Sequence, residues 1–302
     1  MKSNLHSKED IVSTPSGDGG KILITGANGQ LGSELKEISE QHTQYQFVFL
    51  SKDELDISNG EKTLSVFKNT SPDFCINCAA YTAVDKAEIE KEAAYKINKE
   101  GVRNLARAAK STNSRFIHIS TDYVFNGMGD KPYVEDHSTD PINVYGHSKL
   151  QGEIACMNEN EEAVIIRTSW VFSRFGNNFV KTMLRLMQTK KEISVVADQH
   201  GSPTYAADLA ETIIHIINAK NWVPGIYHFS NEGETNWFEF AKAIKENINT
   251  DCIVHPISTE EYPTPAKRPK YSVLNTGKIK RVYAVVPNHW EDSLRACLNQ
   301  LK

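Results

Sequence analysis

The sequence predicts an α/β fold in which helices cover both faces of a doubly wound parallel sheet. Two observations lead to this prediction. Short apolar runs alternate with helical stretches through the first half of the chain, and a glycine-rich turn joins the first apolar run to the first helix. Strands that alternate with helices are typical of right-handed βαβ units, whose strands are parallel.

The predicted strands are apolar throughout, as expected when helices cover both faces of a sheet. They span residues 21–25, 47–50, 74–80, 116–121 and 163–172. Helical patterns lie between them at residues 29–39, 61–69 and, as one long helix, 87–110.

Beyond about residue 175 the alternation is lost. We expect helices at 177–188, at the end of 198–219, at 237–248 and at 289–301, one strand at 225–231, and a proline-rich ordered surface loop at 255–272. This half cannot supply an independent regular sheet. It is therefore interpreted as a smaller lobe that packs on the first half and returns some elements to the main sheet.

Composition excludes several classes of protein. The 302 residues are 39% hydrophobic and carry a net charge of -4, which argues against wholesale disorder and against a nucleic-acid partner. No apolar run approaches the roughly 18 residues that a membrane span needs. Residues 1–20 lack an apolar core and are interpreted as a disordered leader or tag remnant. Five cysteines do not form a disulfide framework in a chain this long, so a cytoplasmic location is expected.

The glycine turn follows the first strand directly and runs from Gly26 through Gly29 to Gly32. Glycines let the backbone turn tightly and approach a pyrophosphate, and the N-terminus of the next helix offers free N–H groups to the phosphates. The flanking strand and helix supply the context that this motif requires. The turn therefore predicts a Rossmann-like dinucleotide site, and its G-x-x-G-x-x-G spacing resembles the extended short-chain dehydrogenase/reductases.

The residue after the second strand selects between nicotinamide cofactors. The stretch there is Leu50-Ser51-Lys52-Asp53, without an acidic residue immediately after the strand. Lys52 could meet a 2′-phosphate, which favours NADPH and leaves NADH open. The alternative is that Lys52 is an ordinary solvated lysine.

A Tyr-x-x-x-Lys pair, Tyr145 and Lys149, lies in a predicted helix at 143–156. The i,i+4 spacing puts both side chains on one helix face. A neighbouring ammonium favours phenolate, so we predict a lowered pKa for Tyr145 and a role as proton donor to a carbonyl oxygen. Thr121 ends the fourth strand, where it could bond the reacting oxygen or tune Tyr145.

A series of motifs in this order resembles the dTDP-4-dehydrorhamnose reductase family over residues 20–302. Beyond the glycine turn and the Tyr/Lys pair, the motifs are Cys78 to Asp85, Ser120 to Phe125, Arg167 to Phe172, Gly176 to Phe179, Asp198 to Thr204, Arg268-Pro269 and Leu274 to Thr276.

The resemblance implies reduction of the C4 ketone of dTDP-4-dehydro-β-L-rhamnose to dTDP-β-L-rhamnose with NADPH or NADH. It implies that Tyr145 donates the proton, that Lys149 holds the cofactor and tunes Tyr145, and that Thr121 bonds the reacting oxygen. The implied cofactor contacts are Gly26, Gly29, Gln30, Leu31, Gly32, Lys52, Asp56, Ile57, Ala79, Ala80, Tyr81, Asn98, Tyr145 and Lys149. Asn98 could instead simply face solvent from its helix.

The resemblance also divides the chain by task. Residues 21–175 form the NAD(P)-binding Rossmann domain with the Tyr/Lys helix, and residues 176–302 form mainly the substrate-binding lobe. The implied substrate contacts are Thr121, Asp122, Tyr145, Trp170, Asn177 and Arg268. A guanidinium matches phosphate geometry, so Arg268 is the expected diphosphate ligand, unless it is only an exposed loop arginine.

Some family members hold Mg²⁺ between the subunits of a dimer through glutamates. Here Glu34 and Glu291 keep the acid, but the third position falls at Ala207. A hard cation needs several oxygen ligands, so we predict no metal, and either a monomer or a homodimer.

Three alternatives stay open. The same scaffold carries nucleotide-sugar dehydratases, but Tyr123 stands where they commonly have Glu after Thr-Asp. A reductase of another nucleotide-linked 4-keto-6-deoxy sugar is a second alternative. A non-catalytic NADP-binding subunit, similar to the β subunit of methionine adenosyltransferase, is the third.

Overall fold

A six-stranded parallel sheet forms the centre of the computed structural model, which describes residues 19–301. The predicted leader lies outside the described residues except for its last two positions. The six strands of the sheet run in the spatial order β10-β5-β4-β3-β1-β2. Their bounds are β1 (Lys21–Thr25), β2 (Gln46–Leu50), β3 (Phe74–Asn77), β4 (Arg115–Thr121), β5 (Val164–Thr168) and β10 (Gly225–His228). The predicted α/β class with a doubly wound parallel sheet is confirmed.

Helices connect these strands and fill both faces of the sheet. They are α1 (Gln30–Ser39), α2 (Gly60–Thr70), α3 (Val84–Ala87), α4 (Lys91–Tyr95), α5 (Val102–Ser111), α6 (Val144–Glu159), α7 (Phe179–Thr189), α8 (Ala206–Ile217), α9 (Trp237–Ile248), α10 (Gly277–Tyr283) and α11 (Trp290–Asn299).

Successive side chains along β1 belong alternately to two apolar cores, one on each face of the sheet. Ile22 and Ile24 of β1 join one core with residues of α1, α8 and α10, whereas Leu23 between them joins a second core with α2 and α5. Successive side chains of a strand point to opposite faces, so a strand that is apolar at every position serves both layers.

The strands predicted at 74–80 and 225–231 each end three residues earlier, and two other predicted elements are divided. The long helix at 87–110 is instead α4, a π-helical turn (Lys96–Gly101) and α5, because wider i to i+5 hydrogen bonding interrupts the α-helix. The strand at 163–172 divides into β5 and β6 (Val171–Phe172). The break comes at Trp170, whose φ of 48° lies in the left-handed region and cannot continue a strand.

The C-terminal half contains more β-structure than predicted. The start of the predicted proline-rich loop is instead a strand, β12 (Ile253–Ile257), which pairs in parallel with β7 (Glu192–Val196). Shorter pairs join β6 to β9 (Thr204–Tyr205) and β8 (His200–Gly201) to β11 (Thr235–Asn236). The half has its own apolar core between α7, α9 and α11, and it adds β10 to the main sheet beside β5.

None of the helices within residues 19–301 has the length and apolar character that crossing a membrane requires.

Candidate active site

The strand order reverses between β1 and β3. The chain leaves β1 toward β2 on one side, and it leaves β3 toward β4 on the other. Loops diverge at such a switch point and open a crevice beyond the carboxyl ends of the strands. A cleft of about 300 Å³ lies there, lined by Gly26, Asn28, Gly29, Lys52, Asp53, Leu55, Asp56, Ile57, Cys78, Ala79, Ala80, Tyr81 and Ile97.

The glycine turn fits the phosphates of a dinucleotide. Gly26 has a φ of 70°, and a Cβ added there would lie 2.6 Å from the backbone nitrogen of Ala79. At Gly32, an added Cβ would lie 2.5 Å from the carbonyl oxygen of Gly26. Gly29 precedes α1 as its N-cap and has no side chain to cap the helix, and no acidic residue stands in the first turn. The first N–H groups of α1 are therefore left for an anion.

Most of the predicted cofactor residues line this cleft, including Lys52. Three do not. The Gln30 amide accepts a hydrogen bond of 2.9 Å from Asn178, at the N-terminus of α7. Leu31 belongs to the apolar core, and Gly32 serves the close packing of α1 against the turn.

Asn98 is buried, which excludes the solvent-facing alternative. It lies in the π-helical turn, and its Nδ2 donates to the carbonyl oxygen of Tyr81 at 3.0 Å and to the Ser148 hydroxyl at 2.9 Å. Its Oδ1 accepts from the backbone N–H of Tyr81 at 2.8 Å. One amide thus ties the wall of the cleft to α6, and the π-helical turn is the irregularity that carries this residue.

The Tyr145 side chain lies beside the Thr121 hydroxyl at the end of β4. Burial raises the pKa of Tyr145 to about 12, with the Thr121 hydroxyl and the neighbouring Asp122 as smaller, opposed influences. The prediction of a lowered pKa is therefore wrong, because desolvation of the phenolate outweighs any attraction by Lys149. Tyr145 stays protonated at neutral pH, as a proton donor must.

Lys149 lies one turn further along α6, with 2% of its surface exposed. Its Nζ donates a hydrogen bond of 2.6 Å to the carbonyl oxygen of Ile119 in β4. Burial lowers the pKa of Lys149 to about 8, and the carboxylate of Glu153 opposes that shift. The ammonium form therefore persists at neutral pH.

Glu153 and Arg167 form a buried ion pair behind the Tyr/Lys pair that sequence reasoning missed. Arg167 donates to both carboxylate oxygens of Glu153, at 2.9 and 2.7 Å, and the Ser120 hydroxyl donates to the same carboxylate at 2.5 Å. These bonds join α6, β5 and β4 directly behind the site. The sequence contains a pattern that could have identified Glu153, since it continues the four-residue spacing of Tyr145 and Lys149 along one helix face.

Asp122 is a buried carboxyl beside Thr121. The Thr121 hydroxyl donates to its Oδ1 at 3.0 Å, whereas its Oδ2 has no hydrogen-bond partner. Burial raises the pKa of Asp122 to about 6, and the neighbouring Ser272 and Thr121 hydroxyls oppose that shift. A buried oxygen without a partner is available to a ligand donor such as a sugar hydroxyl.

Trp170, Asn177 and Arg268 are the predicted substrate residues that lie outside β4 and α6. Thr168 pairs with Thr121 in the sheet, so Trp170 emerges at the same edge, and its ring stacks on Trp237 with the centroids 3.5 Å apart. Asn177 is exposed before α7. Arg268 is not a free surface arginine, because its Nη2 donates to Asp85 at 2.8 Å and its Nη1 is buried without a partner.

Comparisons with known proteins agree with this geometry. A family model described as the RmlD substrate binding domain matches residues 20–302. The spore coat polysaccharide biosynthesis protein SpsK of Bacillus subtilis is 43% identical, over 93% of this chain and 97% of SpsK. A dTDP-4-dehydrorhamnose reductase of Aggregatibacter actinomycetemcomitans is 41% identical, over 91% of this chain and 97% of that protein.

A solved dTDP-4-dehydrorhamnose reductase of Bacillus anthracis in complex with NADP has a TM-score of 0.90 to this chain. The two are 43% identical, and the match covers 93% of this chain and 99% of that one. The chain belongs to the dTDP-4-dehydrorhamnose reductase family.

Glu34 and Glu291, the two glutamates that the resemblance suggests as metal ligands, lie in different surroundings. Glu34 is buried and accepts a hydrogen bond of 2.6 Å from Ser173, and burial raises its pKa. Glu291 is half exposed in the first turn of α11, and Ala207 carries no ligand atom. Within residues 19–301, no group of three or more His, Cys, Asp or Glu side chains is arranged to hold a metal ion. The absence of a metal requirement stays a prediction.

Proposed function

We propose that this chain reduces the C4 ketone of dTDP-4-dehydro-β-L-rhamnose to dTDP-β-L-rhamnose, the last step of dTDP-rhamnose biosynthesis. The observation that carries the proposal is the adjacent pair of Thr121 and Tyr145, with buried Lys149 one turn further along α6, at the sheet edge that also forms the glycine-lined cleft. The identity of about 40% to named reductases over nearly the whole chain supports the same reaction.

The cleft suits NADPH, with NADH as the alternative. When bound, the nicotinamide supplies a hydride to the ketone carbon. The turn from Gly26 to Gly32 and the free N–H groups of α1 would hold the pyrophosphate, and Lys52 at the cleft wall would meet a 2′-phosphate. The NADP complex of the Bacillus anthracis relative supports the phosphorylated cofactor. Asp56, Ile57 and residues 79–81 form the remaining wall of the cleft.

Three side chains would handle the oxygen of the ketone. Tyr145 is protonated at neutral pH and donates its proton to the oxygen as negative charge develops. Thr121 bonds the same oxygen and orients the phenol. Lys149 carries a positive charge at neutral pH, which stabilises the tyrosinate that proton donation creates and suits hydrogen bonds to the nicotinamide ribose.

Four further residues would hold the sugar nucleotide. Asp122 presents an unpartnered oxygen to a sugar hydroxyl, and the half-buried Trp170 would contact the sugar at the same edge of the sheet. Arg268 has a free N–H group for the diphosphate, and Asn177 completes the wall. Residues 176–302 would thus contribute mainly substrate contacts, and residues 21–175 mainly cofactor contacts.

The state of the cysteines supports a cellular location for the protein. All five cysteines are free thiols, which fits a reducing compartment, and we infer a cytosolic enzyme. We expect a monomer or a homodimer without a metal requirement.

The test combines purified protein with dTDP-4-keto-6-deoxy-glucose, a 3,5-epimerase and NADPH, and it follows absorbance of the reduced nicotinamide. Epimerase-dependent oxidation with dTDP-rhamnose identified by NMR is the expected result. Oxidation without epimerase would assign another keto sugar as substrate. Tight NADPH binding without any oxidation would contradict the proposal and favour a non-catalytic binding subunit.

A further inference from the structure

Residues 264–271, here called the C-terminal strap, cross the loop that follows Thr121. The backbone N–H of Tyr271 donates to the carbonyl oxygen of Gly127 at 3.1 Å. Pro269 packs so closely that a Cβ added at Gly127 would lie 2.3 Å from its own Cβ. The strap therefore lies directly against the loop that leads out of the Thr121–Tyr145 site.

Asp85 of α3 holds the strap at two points. Its Oδ1 accepts from the backbone N–H of Ala266 at 3.2 Å, and its Oδ2 accepts from Nη2 of Arg268 at 2.8 Å. This leaves Nη1 of Arg268 as a buried donor without a partner. One arm of the guanidinium is thus anchored by the Rossmann domain, and the other is free to meet an anion.

The charge of Arg268 acts on Tyr123, a neighbour of the proton donor Tyr145. That positive charge opposes the burial that raises the pKa of Tyr123. The ring of Tyr123 packs edge-on against that of Tyr145, with the centroids 5.6 Å apart. Tyr123 is therefore a common neighbour of Arg268 and the proton donor.

Asn143 connects the strap to the helix that carries the Tyr/Lys pair. Its Oδ1 accepts from the backbone N–H of Gly146 at 2.8 Å and caps α6, and its Nδ2 donates to the carbonyl oxygen of Lys267 at 2.8 Å. The side chain is buried, so both bonds are shielded from water. One amide thereby fixes the strap relative to the first turn of α6, which contains Tyr145.

We infer that Asp85 and Asn143 are positioning residues that hold the strap, and with it the free arm of Arg268, ready for the diphosphate of the nucleotide sugar. The inference rests on the proposed function, because it takes a nucleoside diphosphate as the ligand. Asp85 and Asn143 act through Arg268 and the strap and do not touch the substrate. Their loss would weaken nucleotide binding and leave NADPH binding unchanged.

The test measures binding of dTDP alone by titration calorimetry, together with KM for the sugar nucleotide and for NADPH. Asp85→Asn removes the charge that holds Arg268 and is expected to weaken dTDP binding about 3- to 5-fold, the usual scale of a partly exposed ion pair. Asn143→Asp keeps a good helix cap but turns a carboxylate toward the carbonyl of Lys267. It is expected to weaken dTDP binding about 10-fold and to lower Tm, while unchanged NADPH affinity shows that the fold is intact.

The matched control is Asp198→Asn. Asp198 also holds the proline-rich segment through a backbone N–H and a side chain, since it accepts from both groups of Thr259 at 3.1 and 2.6 Å. Thr259 precedes the strap in the chain, so the loss of the Asp198 carboxylate is expected to leave dTDP affinity unchanged.

Equal dTDP affinity in wild type, Asp85→Asn and Asn143→Asp would overturn the inference. Tighter binding by Asp85→Asn would also overturn it, because Asp85 would then compete with the phosphate for Arg268. Wild-type protein that does not bind dTDP would contradict both proposals. Wild-type protein that binds dTDP but never oxidises NADPH would contradict only the reaction, and the variants would still decide the role of the strap.

Discussion

The ammonium of Lys149 is hydrogen-bonded to the carbonyl oxygen of Ile119 over 2.6 Å. This bond joins the middle of α6 to β4, two residues before Thr121. The bond therefore fixes the position of Lys149 relative to Thr121. Tyr145 lies one turn earlier on the same helix, so its position relative to Thr121 is fixed as well. The relative positions of the three side chains are thus set by one helix and the strand end against which it packs.

Replacement of Tyr145 by Phe tests proton donation. Turnover is expected to fall by roughly 10²-fold or more, the usual scale of general acid catalysis, with nearly unchanged NADPH affinity. Steady-state NADPH oxidation and a fluorescence titration of NADPH measure the two quantities separately. Near-normal turnover of the Phe variant would remove Tyr145 from the mechanism.

The lowered pKa of Lys149 predicts how activity depends on pH above neutrality. Burial lowers its pKa to about 8, so wild-type kcat/KM is expected to decline above that pH as the ammonium loses its proton. Lys149→Met is expected to impair both NADPH affinity and turnover. An alkaline decline that begins only near the ordinary lysine pKa, about 10.4, would contradict the assignment. So would a Met variant altered only in solubility.

The ion pair of Glu153 with Arg167 predicts a large effect on stability. Both side chains are buried, so Glu153→Ala leaves a buried guanidinium without its counter-charge and is expected to cost about 3–5 kcal/mol of unfolding free energy. Glu153→Leu combined with Arg167→Met removes both charges and is expected to recover much of that loss. Denaturant unfolding measures both variants. A loss under about 1 kcal/mol in Glu153→Ala would contradict the buried pair.

Asp122 predicts a pH-dependent stability difference. Its pKa is raised in the folded state from 3.8 to about 6, so its stabilising contribution is present below about pH 4 and is lost as pH rises through about 6. The change amounts to about 3 kcal/mol. Asp122→Asn lacks this titration and is expected to gain stability relative to wild type between about pH 4 and 7. A difference in unfolding free energy that does not vary with pH would contradict the raised pKa.

Substitutions at two glycines of the turn are expected to have different effects, one on the stability of the fold and the other on cofactor binding. Gly32→Ala is expected to lower Tm, because the new Cβ would lie 2.5 Å from the carbonyl oxygen of Gly26. Gly29→Ala brings its Cβ only to 3.2 Å from the same oxygen, and Gly29 lines the cleft. It is expected to keep its Tm and lose NADPH affinity. Thermal denaturation and NADPH titration distinguish the two, and equal Tm values would contradict the packing role of Gly32.

Local patterns determined much of the fold and the candidate site. The helix at 237–248 was predicted to the residue, because its polar and apolar positions repeat at helical spacing. The parallel sheet, the glycine turn, and the positions of Thr121, Tyr145 and Lys149 follow equally from alternation and spacing. In each case the determining contacts are close in sequence or follow from the period of one element.

The tertiary structure decided what depends on contacts between distant segments. The π-helical turn at Asn98 and the left-handed Trp170 interrupt patterns that are locally regular. The pKa of Tyr145 depends on how completely the surrounding elements exclude water, and that desolvation reversed the direction predicted from Lys149 alone. The bond from Asp85 to Arg268 spans 183 residues of chain. Sequence spacing carries no information about such a contact, because only packing of the two lobes brings its partners together.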